Sequence, residues 1–504
     1  MTKRLPIICT ILLMILVIGC QSGADNMPLP EADNSEEEEE TELVSTKPSD
    51  TSETAQKNLK ETESVSEEPS DTSETGQKKV TEMPVPLTPS ALTELVQPGD
   101  LIYQGAFRLP DEFVEIWGDQ INFWSYSGCA MTYYQGGDPS GPNDGFPGSL
   151  FGVGHDQSQF VSEISIPVPV DSQNIDDLNT ASTLQSPADI TAGMFDYLEL
   201  PTAGLEYLPA QGGQTKEKLH FCWGQHFQGD EPSHGWSELD LSDPQPAGPW
   251  LFGNYTNYVS NDYLFEIPES WADEYAPGKR LASGRFREGV WGGFGPALFA
   301  YSSWSDGNPL TPNSTLSTIT PLLLYGIQEP GMIDISTSDS MKMDMYSEPD
   351  TWSGGAWLTA GDKSAVIFVG TKAIGNCWYG FANGIVWPYD CADDDTPPCP
   401  EVPEWPFSDR GYWADNIESR ILFYNPADLA AVSRGKMETW EPQPYASLCI
   451  DDYLFDPGYE YERGKRQLLG ACAFDRARGL LYIAERMVSA DEEKSVIHVW
   501  QIES

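Results

Sequence analysis

From about Gly99 onward the chain is built of short apolar runs set off by Gly, Asp, Ser and Gln, and few stretches hold a 3.6-residue period for more than two turns. Laid side by side, the runs fall into sets. Gly128–Gln135, Ser149–His155 and Phe160–Pro167 follow one another closely. Ala203–Pro209, Lys218–Trp223, Gly235–Leu241 and Pro249–Gly253 form a second set. A third, less regular, holds Leu281–Phe286, Pro296–Ser302 and Thr320–Gly326. Ala356–Ala360, Ser364–Thr371, Arg420–Asn425 and Tyr445–Ile450 make the fourth, and Gly470–Phe474, Gly479–Arg486 and Ser495–Ile502 the last. Two helices interrupt them, over Ile267–Tyr275 and over Pro426–Gly435, where Asn425 offers a cap, Pro426 sits in the first turn and Gly435 is the stop.

Repeated four-stranded meanders predict an all-β fold, a β-propeller, in which each sheet buries both faces against its neighbours. Burial on both sides explains unbroken apolar runs such as Ala365–Val369. The last set lacks an outer strand, and Leu101–Pro110 can supply it, so that N- and C-terminal strands close one blade and protect the open edges. Five blades are expected. Six or seven, or a pair of packed sheets, fit the same runs less well.

The N-terminus is different in kind. Lys3 and Arg4 precede an apolar run, Leu5–Ile18, that ends in Gly19-Cys20. The run is shorter than the ~18 residues a spanning helix needs, and polar sequence follows at once. This stretch resembles a bacterial lipoprotein signal; the resemblance implies cleavage after Gly19, lipid (palmitate among its chains) on Cys20, and an extracytoplasmic, membrane-anchored protein of the periplasm or cell surface. Retention as a single-pass anchor would give the same topology. Residues 20–98 read as a disordered acidic Ser/Thr/Glu/Pro linker, with Glu36–Glu40 an unbroken acidic run and Pro48–Lys57 repeated almost exactly at Pro69–Lys78. The propeller domain then spans 99–504, where all 16 Trp lie, and its strand and turn texture resembles propeller domains of exported bacterial proteins.

Charge narrows the partners. Asp and Glu number 78 against 28 Lys and Arg, a formal net charge of −50. Such a field repels phosphate backbones and anionic head groups, which excludes nucleic acid and leaves lipid on Cys20 as the membrane contact. Of nine cysteines, seven remain once Cys9 and Cys20 are set aside. Cys391 and Cys399 bracket a Pro-containing loop and form the expected disulfide, with Cys377–Cys391 the rival pairing. No Cys-x-x-Cys pair exists, Asp393–Asp395 lacks the alternating ligands of a calcium loop, and neither a metal nor another cofactor is expected.

Candidate chemistry is sparse. Gly-rich phosphate loops, Gly-x-Ser-x-Gly and His-Glu-x-x-His are absent. Of five histidines, His155 ends a strand and His220 lies on one; with Arg287, beside Arg285 in a chain poor in cations, they make a candidate catalytic set for a polysaccharide hydrolase or lyase. Asp156, Glu206, Asp362 and Glu485 near strand ends are candidate paired carboxylates. Trp223, Trp236, Trp291 and Trp378 lie at turns or strand ends, where flat rings can stack on sugars. The expectation is a propeller that binds an extracellular ligand, a carbohydrate, with a polysaccharide-degrading enzyme and a protein-interaction scaffold as alternatives.

Overall fold

A computed structural model describes residues 94–504, apart from 117, 139–144, 196–197, 199–201, 226–228, 230, 286–292, 306–307, 329–334, 337, 389–390, 392–398, 406, 457–467 and 489–493. The signal, Cys20 and the linker as far as residue 93 lie outside the described residues, as do Arg287 and Trp291, whereas 94–98, expected as linker, are described and Glu94–Leu95 form a short strand. Among the described residues no helix is long and apolar enough to cross a membrane.

Strand β1 (Leu101–Arg108) opens the ring and waits for its partners at the far end of the chain. Blade 1 is β2 (Met131–Tyr134), β3 (Ser149–Val153), β4 (Val161–Ser165) and β5 (Thr183–Ala188); blade 2 is β6 (Thr202–Leu208), β7 (Lys218–Gly224), β8 (His234–Ser237) and β9 (Ala247–Trp250). Blade 3 is β10 (Tyr263–Glu266), β11 (Leu281–Gly284), β12 (Leu298–Tyr301) and β13 (Thr320–Leu323). Blade 4 is β14 (Thr351–Ala360), β15 (Lys363–Phe381), β16 (Arg410–Tyr424) and β17 (Ala446–Cys449). In blade 5, β18 (Leu469–Asp475), β19 (Leu480–Glu485) and β20 (Val496–Ile502) are completed by β1, which pairs antiparallel with β20 from Leu101↔Ile502 to Arg108↔Val496. The first strands β2, β6, β10, β14 and β18 touch one another in a closed cycle. The molecule is a five-bladed β-propeller closed by its N- and C-terminal strands.

Departures from the expected runs have two causes, solvent exposure and short length. β5 and β10 went unpredicted: Thr-Leu-Gln-Ser-Pro-Ala is an outer strand half open to solvent, and β10 is only four residues long. In blade 4, β15 runs 19 residues and pairs with β16 as far as Phe381↔Arg410, forming an arm well beyond the expected Ser364–Thr371. Residues 374–379 of that arm are mostly open to solvent, so no apolar run marks it. Of the two helices, α1 spans Glu269–Tyr275 and α2 spans Pro426–Ser433, with the Asn425 side chain capping Ala427 N at 2.9 Å.

Glycine lets the first strands crowd the axis. A Cβ on Gly470 would stand 1.9 Å from the Gly128 carbonyl oxygen, and one on Gly354 only 2.3 Å from that of Gly470. The space left at the centre, between Cys129, Gly204, Asp262, Gly354 and Cys472, is ≈ 10 Å³, about one water molecule. Among the described residues the first strands leave no wider space than this between those five residues. We call the end where the first strands begin the upper face. Every blade-to-blade connection crosses there, together with the links between second and third strands and therefore the arm. The chain enters at the lower face, where Glu94 and Leu95 pair with Lys363 and Ser364.

At the lower mouth one polar network joins all five blades. Glu206 accepts hydrogen bonds from Thr132 Oγ1 (2.8 Å) and Glu266 N (3.0 Å). Arg476 donates to Trp357 O and Thr359 Oγ1, both at 3.0 Å, and its Nε lies 3.3 Å from Glu266 Oε2. Burial, with Glu266 adding repulsion, pushes Glu206 up to about 8.

Candidate functional site

The upper mouth is assembled from loops anchored on the ends of the first and second strands. His155 follows β3; its N–H donates to Phe123 O, and its ring is buried. Gln157 N donates to Nδ1 at 3.2 Å, which makes Nδ1 the acceptor and puts the ring proton on Nε2. The imidazole meets the Tyr126 ring edge to face at 5.3 Å. Tyr126 holds φ at +55°, a left-handed conformation that costs a bulky L-residue about 1–2 kcal/mol, so the surrounding loops must over-determine it. Asp156 Oδ1 stands 3.4 Å from His155 Nδ1. Burial lowers the His155 pKa against the pull of Asp156, and burial raises Asp156 against His155 and Arg486. Both shifts favour the neutral forms. Asp156 keeps about a quarter of its side chain open (26%) yet sits in a crowded recess, which is why desolvation still dominates.

Charges of both signs converge above the plugged axis. Arg486, just past β19, donates from Nε to Ser127 O at 3.3 Å and lays its aliphatic stem over Gly128 and Gly470. The Cys129 thiol, on the axis, is raised to about 12 by burial, and it feels Arg486, Asp156 and Asp262 together. Beside Asp262, the buried Arg285 donates from Nη1 to Asn257 O (3.0 Å) and Asn261 Oδ1 (3.4 Å). Asn261 is fully buried, and its Nδ2 has no hydrogen-bond partner among the described residues. Such an array can orient a polar, uncharged ligand through donors and acceptors at fixed positions.

The residues singled out in the sequence do not all meet here. His155 lies at the upper mouth. His220 is on β7, toward its lower end and fully buried between blades 2 and 3; its Nε2 faces Gln214 Oε1 (2.7 Å) and its Nδ1 faces Ser303 Oγ (3.1 Å). Burial, with Lys218 adding to it, lowers its pKa to about 3. The structure therefore does not bring His155 and His220 into one cavity, and His220 serves as packing. Trp223 is fully buried beside Phe221 and Phe195. Trp236 is half-buried toward the lower end of blade 2 under the Lys218 ammonium, 4.0 Å from its ring centre. Trp378 lies on the arm, half-buried, its indole N–H donating to Phe381 O at 3.1 Å. Cys391 and Cys399 are bridged at the arm's far loop.

Among the candidate carboxylates, Glu206 belongs to the lower mouth and Asp362 to the turn between β14 and β15. Glu485 is buried, accepting from Phe455 N, Asp456 N and His498 Nε2 (2.8 Å), while Tyr103 OH is 2.9 Å from His498 Nδ1. That chain ties β1 to β20 and β19 and closes the ring. Tyr126, Asp262, Asn261 and Arg486 escaped sequence reading, because each becomes special only through neighbours from other blades. Among the described residues no three His, Cys, Asp or Glu side chains are grouped to hold a metal. No protein-family model matches the chain, and no curated protein matches it.

Proposed function

We propose that this protein is an extracytoplasmic lipoprotein, anchored through Cys20, whose propeller binds an extracellular carbohydrate on its upper face. The observation that carries the reading is the polar mouth above a sealed axis: His155, Asp156, Arg486, Asp262 and the left-handed Tyr126 converge where the longest loops emerge. Attachment supports it as well, since the chain enters the ring at the opposite, lower face. Neutral His155 and a carboxyl held toward neutrality suit hydroxyl recognition better than ion capture. The test is retention of the full-length chain on immobilised neutral and uronate polysaccharides. Retention that weakens in Asp156→Asn and Arg486→Gln is the expected result. Failure to be retained on any of them would remove the reading.

The His155–Asp156 pair supports a second reading, a hydrolase or lyase using His155 in proton transfer. New reducing ends that vanish in His155→Ala would establish it.

A further inference from the structure

The arm of blade 4 carries a row of aromatic rings away from the polar mouth. β15 and β16 pair there in register Tyr379↔Tyr412 and Phe381↔Arg410. A third segment folds back along β15: Phe381 N donates to Ile385 O at 2.9 Å, and Trp387 N donates to Tyr379 O at 2.8 Å, around the Gly380↔Val386 bridge. Antiparallel residues directly opposite each other point their side chains to the same face. Tyr412, Tyr379 and Trp387 therefore form one row across three strands. Two contacts agree with that placement. The Tyr379 and Tyr412 ring centres are 4.9 Å apart, and the Arg410 guanidinium lies 4.6 Å over the Trp387 ring, so Arg410, opposite Phe381, shares the face. Trp378 and Trp413 pair on the other face, where Trp413 is buried and its indole N–H donates to Gly380 O at 3.0 Å. The row is open in part: Tyr379 is 37% exposed, and Tyr412 and Trp387 are half-buried.

We propose that this row is a platform for a neutral polysaccharide chain, an extension of the carbohydrate reading on which it rests. Neighbouring strands stand ~4.8 Å apart, close to the length of one sugar ring, so successive pyranose faces can lie on successive aromatic rings. The Tyr379 and Tyr412 planes are tilted 58° to each other, and Arg410 covers one face of Trp387, so the row offers separate stacking surfaces to a twisted glycan chain, whereas a peptide helix would require an apolar groove. Charge selects within the class. With a formal net charge of −50, the chain repels uronates and sulfated glycans and leaves neutral polymers as the ligands that can approach.

The test uses the full-length chain with neutral polysaccharides, such as mannan, xylan and cellulose, and with alginate and pectate. Retention on a neutral polymer but not on the uronates is expected, together with quenching of tryptophan fluorescence. Tyr379→Ala should weaken retention about tenfold, Tyr379→Phe should restore it, and Trp378→Phe, on the opposite face, should leave it intact. Thermal melting of Tyr379→Ala at the wild-type temperature separates lost binding from lost folding. Retention on neutral polymers unchanged in both Tyr379→Ala and Tyr412→Ala would overturn the platform and leave the upper mouth as the site. Retention on uronates alone would overturn the choice of class. Absence of retention on every polymer would overturn both this proposal and the carbohydrate reading beneath it.

Discussion

Single side chains in this ring are held in protonation states that water would not give them, and Glu206 is the sharpest case. Its carboxyl is buried between Thr132 and the Glu266 backbone, and burial lifts it from 4.5 to about 8. A group with a raised folded pKa stabilises the fold fully below its unfolded value and loses that contribution as pH rises through the folded one. The contribution is thus present below about 4.5 and gone by about 8. Glu206→Gln, which keeps the shape and cannot ionise, should flatten the decline in urea-unfolding stability between those pH values; a decline as steep as the wild type's would show that Glu206 does not cause it. His220 acts with the opposite sign: with its pKa lowered from 6.5 to about 3, it weakens the fold as pH falls between those values, where the unfolded chain binds a proton that the buried ring does not. Neither state was legible in the sequence. The ring partner Ser303 lies 83 residues from His220, and Glu266 lies 60 from Glu206. His155 was readable as a candidate because it ends a strand; the φ of Tyr126 beside it was not.

Among the elements, the first strands matter most, because five of them must approach one axis. Two carbonyl groups and the missing side chains of Gly354 and Gly470 set how close they come. Gly470→Ala would place a methyl group 1.9 Å from the Gly128 carbonyl oxygen, and overpacking against backbone costs about 1–3 kcal/mol or more. Gly99→Ala meets nothing within 4 Å and should change stability by under about 0.5 kcal/mol. Equal unfolding midpoints for the two variants would contradict the packed axis. Strands buried on both faces, such as Ala365–Val369, announced themselves as apolar runs. Outer strands and the arm did not, since one or both of their faces meet water: β5 holds Gln185 and Pro187, and the arm's bend carries Gly375 and Asn376.

At the scale of the whole molecule, closure and sidedness follow from one topological fact, that the outer strand of blade 5 comes from the N-terminal side of the ring. β1 pairs with β20 along its length and leaves no open edge in that blade's interior, while Tyr103, His498 and Glu485 fasten the seam through buried hydrogen bonds. The same direction of travel puts the chain's entrance at the lower face and the loops at the upper one. The five-blade count and the terminal closure were legible because the runs come in sets and the last set is a strand short. The face proposed to bind ligand was not, because it depends on which loop ends converge.

Sidedness is also where the functional account is most exposed. Hydrogen–deuterium exchange on the full-length chain, with and without the polysaccharide that best retains it, measures the bound face directly. The account predicts slowed exchange in 123–129, 154–160 and 372–387, with the lower connections 209–217 and 476–479 unchanged. Protection confined to those lower connections would contradict it.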